Sequence, residues 1–194
     1  MRLDRPAKTF LCRLLLLFSV VLAAFPAWCG DYGFTVERAE LQPVKGVHVV
    51  NADIAYQFSP TAIEALLNGV PLTLAVDFSI IHPRAFWLAQ TVLTEQRGIQ
   101  IRYYPLAESY QILDKSSGAS QNFTSLSALL DTLSRIRNWL IPPFNHLIKT
   151  DSTYMARLRV KLDIESLPLP LRIQAYVSPD WHQDSPTYEW PIKP

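Results

Sequence analysis

Leu72-Thr73-Leu74-Ala75-Val76-Asp77-Phe78-Ser79-Ile80 alternates with a period of two. Leu72, Leu74, Val76, Phe78 and Ile80 fall on one face, and Thr73, Ala75, Asp77 and Ser79 on the other. One apolar face and one more polar face is the pattern of a half-buried antiparallel strand. Residues 47–58 repeat it, with Val50, Ala52, Ile54, Tyr56 and Phe58 set against Asn51, Asp53, Ala55 and Gln57. Working outward, residues 34–41, 86–95, 99–106, 110–114, 154–164 and 171–178 are further strand candidates, and Arg97-Gly98 reads as a hairpin turn between two of them.

Two helices interrupt the strands. Ser59-Pro60 is a polar cap followed by proline at the first helical position, and Asn68-Gly69 closes that short helix, Gly69 suiting a left-handed residue past its end. The second is expected from Leu126 to Leu140: Leu126, Leu129, Leu130, Leu133, Ile136 and Leu140 make one stripe, and Pro142-Pro143 forbids continuation. The expected fold is mainly β, a β-rich α+β domain in which an antiparallel sheet or sandwich is covered by two helices. The tail, with Trp181, Tyr188 and Trp190, is aromatic enough to pack back onto that sheet.

The first 29 residues read differently. Arg2, Arg5, Lys8 and Arg13 precede an uncharged apolar run, Leu14 to Phe25, of 12 residues. A bilayer span takes about 20. Ala27 and Cys29 then place small residues at −3 and −1 of a cut before Gly30. Basic, apolar, small-residue site is the order of a secretory signal peptide. Residues 1–29 are therefore expected to be a signal peptide and 30–194 a single periplasmic β-rich domain. An uncleaved leader anchoring the chain to the membrane is the alternative. Lipid attachment at Cys29 fits less well, with Pro26 and Trp28 where a lipoprotein carries Leu and a small residue.

Removing the leader takes Lys+Arg from 18 to 14 and Asp+Glu from 17 to 16, so the remainder carries −2. Nothing in that balance suits nucleic acid. Both cysteines, Cys12 and Cys29, leave with the leader, which excludes thiol catalysis, thiolate metal sites and disulfides from the remainder. No later window is long and apolar enough for a membrane span.

No catalytic, cofactor or metal site emerges from the motifs. His48, His82, His146 and His182 lie in separate elements, none paired at three- to five-residue spacing. There is no G-x-S-x-G elbow and no glycine-rich phosphate loop. Asp53 and Asp77 both sit on polar strand faces, where an acid/base pair or two ordinary carboxylates would look alike. His82-Pro83-Arg84 reads as a rigid corner with Trp87 in the core.

One constellation has binding character. On the strand from Tyr154, Arg157, Arg159 and Lys161 share a face and form a row about 13 Å long at the usual strand rise. It reads as an interaction stripe for an anionic partner such as lipid headgroups, or as a solvent face whose cations pair with acids on neighbouring strands.

The run Ala65-Leu66-Leu67-Asn68-Gly69-Val70-Pro71-Leu72-Thr73, then His82-Pro83-Arg84, then Ile101-Arg102-Tyr103-Tyr104-Pro105-Leu106 with Tyr110, resembles an exported proteobacterial family, domain of unknown function 4390. Arg157-Leu158-Arg159-Val160-Lys161-Leu162-Asp163 with Leu167-Pro168, Trp181 and Trp190 resembles its second half. The resemblance implies a Gram-negative periplasmic protein, no known activity, and a link to envelope sensing. The function expected is a non-enzymatic binding module of the cell envelope, its partner a protein or envelope component. A hydrolase with scattered catalytic residues and a peripheral anionic-lipid binder are the alternatives.

Overall fold

The computed structural model describes residues 32–84, 87–148 and 152–192. The leader, its two cysteines and the cleavage site lie outside the described residues, as does the side chain of Trp87. Residues 32–194 form a compact unit of their own.

Two antiparallel sheets make up that unit. β1 (Gly33–Val44), β2 (Val47–Gln57) and β7 (Arg135–Ile141) form a three-stranded sheet in the order β1-β2-β7. The other six strands are β3 (Leu72–Arg84), β4 (Trp87–Tyr104), β5 (Ser109–Asp114), β6 (Ser120–Phe123), β8 (Tyr154–Leu162) and β9 (Tyr188–Ile192). They lie in the order β6-β5-β4-β3-β8-β9. The apolar face that defined β3 holds, with Leu72, Leu74, Val76, Phe78 and Ile80 all fully buried, while Thr73 and Ala75 on the opposite face are buried too. They meet Val50, Ala52 and Ile54 of β2 and Leu158 and Val160 of β8 in one core. Phe78 reaches between the sheets, its ring 6.1 Å from that of Trp139 on β7 and 6.1 Å from that of Trp190 on β9. The aromatic tail thus completes the six-stranded sheet through β9.

Among the described residues three helices pack on this frame. In α1 (Pro60–Leu67) the Ser59 hydroxyl accepts from the Ala62 N–H at 3.1 Å, and Gly69 takes φ 83 just past the end. Ser59 is also held from a distance. Its N–H donates to Gln183 Oε1 at 3.1 Å, its hydroxyl donates to the Asp180 carbonyl at 2.8 Å, and Gln183 Nε2 donates to that carbonyl at 2.6 Å. Both side chains are buried. This knot joins α1 to the 3-10 turn Pro179–Trp181.

The other helices depart from the sequence reading. α2 spans only Leu126–Leu133, capped by the Ser125 hydroxyl, and Arg135 onward is β7 rather than more helix. Ile136 and Leu140, four apart, look like one helical stripe. In the strand Ile136 points into the core while Leu140 is 65% exposed, so their spacing was shared by chance with the stripe before them. α3 (Leu169–Val177) replaces the strand expected over 171–178. Leu171, Ile173, Ala175 and Val177 alternate as a strand would, yet only Ala175 is buried. Pro168 and Pro170 set the chain into a helical first turn, with Leu171 and Arg172 N–H both donating to the Pro168 carbonyl.

Arg97-Gly98 is not a turn. β4 runs through it without a break, with Gly98 opposite Ala75. A Cβ on Gly98 would stand 3.3 Å from the Lys115 side chain, so glycine serves close approach here rather than chain reversal. β6 is a strand that no sequence pattern marks; its polar residues Ser120, Gln121 and Asn122 pair with β5 through the backbone.

A cleft between the sheets

β7 carries a bulge. Val50 pairs with Trp139 and Ala52 with Ile136, so Arg137 and Asn138 together oppose the single residue Asn51. Asn138 takes φ 52, a left-handed value asparagine tolerates better than most side chains, and its N–H donates to Asn51 Oδ1 at 2.9 Å. Bulges of this kind re-aim side chains. Here the Arg137 guanidinium turns back onto β2, donating to the Ala52 carbonyl at 2.8 Å, to its neighbour Ile136 O at 2.9 Å, and to the Asp53 carboxylate.

The six-stranded sheet faces this with a second ion pair. Arg97 of β4 holds Asp114 of β5 through Nε at 2.8 Å and Nη2 at 2.6 Å, both side chains mostly buried. Asp114 Oδ1 also accepts from the backbone N–H groups of Ser116 at 2.8 Å and Ser117 at 3.2 Å. Burial pushes the Asp114 carboxyl up, but these N–H donors and the Arg97 guanidinium outweigh it and hold it below the usual carboxylate range. On the inward face of β2, Tyr56 stacks edge-on to Phe34, and its hydroxyl is buried with no hydrogen-bond partner. Burial pushes that phenol well up, the Arg97 charge pulling partly back.

Between the Arg97 and Arg137 guanidinium groups lies a cleft of about 340 Å³, lined also by Asp114, Ser117, Gln121 and Leu133. It shares Arg137 with two open hollows. One of about 450 Å³ passes Glu95, Ser116, Asn138 and Leu140, and one of about 400 Å³ passes Arg38, Asn51 and Asp53. β7 is an edge strand of its sheet, and its outer side pairs with no other described strand. The cleft therefore runs beside a row of backbone donors and acceptors that the sheet leaves open. Its charges are balanced in pairs. No His or Cys lines it, so its serines have no imidazole partner for nucleophilic attack.

The residues singled out by sequence lie elsewhere. Arg157, Arg159 and Lys161 do form one row on the outer face of β8, and each meets a carboxylate. Arg157 Nε lies 2.8 Å from Glu189 Oε1, though its N–H is not aimed at that oxygen. Arg159 pairs with Asp184, and Lys161 Nζ is 3.1 Å from Asp77 Oδ2. Changing all three to Glu would set like charges against Glu189, Asp184 and Asp77, at several tenths of a kcal/mol each. We expect a stability loss of about 1–2 kcal/mol in thermal melting and unchanged binding to anionic vesicles. A steep, salt-dependent loss of vesicle binding would instead assign the row to a partner.

Asp53 and Asp77 do not meet. They belong to different sheets, one bound by Arg137 and the other by Lys161 and Gln96. The histidines are scattered too: His48 stacks 4.5 Å from Phe144, His82 donates to the Thr153 carbonyl, and His182 to the Ser178 carbonyl. Among the described residues no three His, Cys, Asp or Glu are placed to share a metal ion, and no helix is long and apolar enough to cross a membrane.

Sequence reasoning missed Arg97, Asp114, Arg137 and Asn138. Arg97 falls in the expected turn, and Arg137 and Asn138 fall inside the expected helix Leu126 to Leu140. The available signal was Arg135-Ile136-Arg137 ahead of Trp139, Ile141 and Pro142-Pro143, since prolines end a strand as readily as a helix. A family model described as Domain of unknown function (DUF4390) matches residues 31–191. No curated protein and no solved structure matches the chain.

Proposed function

The chain belongs to the family of domain of unknown function 4390, and from that premise we propose an exported, non-enzymatic binding module of the cell envelope. Residues 1–29 are its signal peptide, and residues 30–194 work as a single domain in the periplasm. The basic, apolar, small-residue order of the leader supports export.

The observation that carries the binding reading is the unpaired outer edge of β7 beside the cleft. A ligand there gains hydrogen bonds along a strand rather than net charge, because Arg97 and Arg137 are already neutralised by Asp114 and Asp53. That favours an extended polypeptide added as a further strand, with Leu140 as an apolar anchor at the rim. The basic row on β8 is not the surface assigned to this role, since its cations already face carboxylates.

A photo-crosslinking amino acid at Leu140, introduced in the native host, is expected to capture one defined envelope protein. The same probe at Thr94, on the outer face of β4, should not. Equal capture from both positions, or none from Leu140, would remove β7 as the binding edge.

A further inference from the structure

The outer face of the six-stranded sheet carries a polar ladder where β4, β5 and β6 run side by side. Tyr103, Tyr110, Ile112 and Phe123 pack toward the core, so Arg102, Tyr104, Gln111 and Asn122 point away from it. Gln111 stands opposite Arg102 on one side and Asn122 on the other. The Tyr104 hydroxyl donates to Gln111 Oε1 at 3.1 Å, and Gln111 Nε2 donates to Asn122 Oδ1 at 3.1 Å. The ladder is unfinished at both ends. Among the described residues the Tyr104 oxygen accepts from no donor, and Asn122 Nδ2 donates to no acceptor.

The ladder walls a hollow of about 420 Å³. Ser109 lines it as well, and the turn Pro105–Ala107 closes one side with Leu106 fully exposed. Glu108 takes φ 45 to end that turn, its N–H donating to the Pro105 carbonyl at 3.4 Å, and its side chain stays out of the lining. Arg102 lies over the Tyr104 ring, 5.8 Å from its centre, and is also outside the lining. Among the described residues no charged side chain lines this hollow. The cleft beside β7 is its opposite, walled by ion pairs.

We propose that the hollow binds a neutral pyranose chain. Three features select that class. With no charge in the lining, an acidic or basic ligand would lose hydration and gain no ion pair. Each sugar hydroxyl both donates and accepts, which is what a ladder ending in a bare donor on β6 and a bare acceptor on β4 requires. The Tyr104 ring, with Pro105 and Leu106, supplies apolar surface for the C–H face of a sugar ring. An added polypeptide strand instead needs a row of backbone groups, and this ladder offers side-chain amides on a sheet face.

The test is titration of residues 30–194, which carry their own core, with cellotetraose, maltotetraose and N-acetylated chitotetraose. At least one should bind with a Kd of about 1 mM or tighter, within reach of one ring contact and a few hydrogen bonds. The side-chain amide signals of Gln111 and Asn122 should shift in NMR spectra as it does. Binding should persist at about 0.5 M salt, because no charge takes part, and tetragalacturonate should not bind. Tyr104→Ala should weaken binding about tenfold, and Tyr104→Phe and Asn122→Ala about threefold each, the ring being kept in both. All three positions are at the surface, so melting temperature should stay put. Leu140→Asp should leave saccharide binding unchanged, which separates this hollow from the edge of β7. The proposal falls if none of the three tetrasaccharides binds at about 10 mM. It falls equally if tetragalacturonate binds and salt removes it, if Tyr104→Ala binds like wild type, or if the shifted amides lie along β7.

Discussion

Phe78→Ala is expected to destabilise the domain by about 3–5 kcal/mol, the range for truncating a fully buried aromatic. Phe78 has no exposed surface, and its ring stands between Trp139 of the three-stranded sheet and Trp190 of the last strand. Removing it takes away transfer energy and leaves a hole bounded by two large rings that β-sheet backbones cannot close over. Urea unfolding followed by tryptophan fluorescence should show a lower midpoint with an unchanged slope. A loss below about 1 kcal/mol would mean that the sheets do not pack through this ring.

Asp114→Ala is expected to cost about 2–4 kcal/mol near neutral pH, a partly buried version of the penalty for stranding one member of a buried ion pair. The variant leaves the Arg97 guanidinium without its carboxylate and the Ser116 and Ser117 N–H groups without their acceptor. The pH dependence has a definite sign. Asp114 is held below the usual carboxylate range, so its ionised form stabilises the folded state above the unfolded value of about 3.9. That contribution fades as pH falls through the lower folded value. The gap between wild type and variant should therefore be constant from about pH 5 to 8 and shrink below about pH 4. A gap that widens in acid would show that Asp114 is not stabilised as a carboxylate.

What could be read from the chain followed the physics of each signal. β2, β3 and β8 were legible because each turns an unbroken apolar face into the core at a period of two, even though Thr73 and Ala75 on the other face of β3 are buried as well. α1 was legible because a serine cap, a proline and a glycine mark its ends by local stereochemistry alone. α3 was not, because its apolar residues lie outside the core; periodicity reports burial, and this helix buries little beyond Ala175. β7 was lost for a related reason. It follows α2 with no breaker but Ser134, and its bulge at Arg137–Asn138 interrupts the alternation that would have marked it.

The cleft was out of reach for a different reason. Arg97 and Asp114 are 17 positions apart, and Asp53 and Arg137 are 84 apart. A charge pair of that kind is invisible until register is known, since shifting β4 by one residue would turn Arg97 to the other face. The row on β8 could be seen at once because strand geometry alone aligns it, but its acidic partners could not. Glu189 and Asp184 come from the tail, and Asp77 from the neighbouring β3.

The knot at Ser59 has a consequence for the order in which the molecule assembles. The N–H of Ser59 finds its acceptor 124 positions later, on Gln183, and His48 of β2 waits for Ile141 of β7. The second of these needs only the chain as far as Ile141, but the first is not available while the residues from Asp180 on are still held elsewhere, as at a ribosome. The β1–β2 hairpin can form early, but alone it has no partner for its apolar face, and two strands in water are marginal. Closing loops of that length costs chain entropy before any contact rewards it, which sets folding in milliseconds to seconds rather than microseconds. Until the tail arrives the polypeptide stays open and threadable, and the arrival of Gln183 acts as the latch that ends that state.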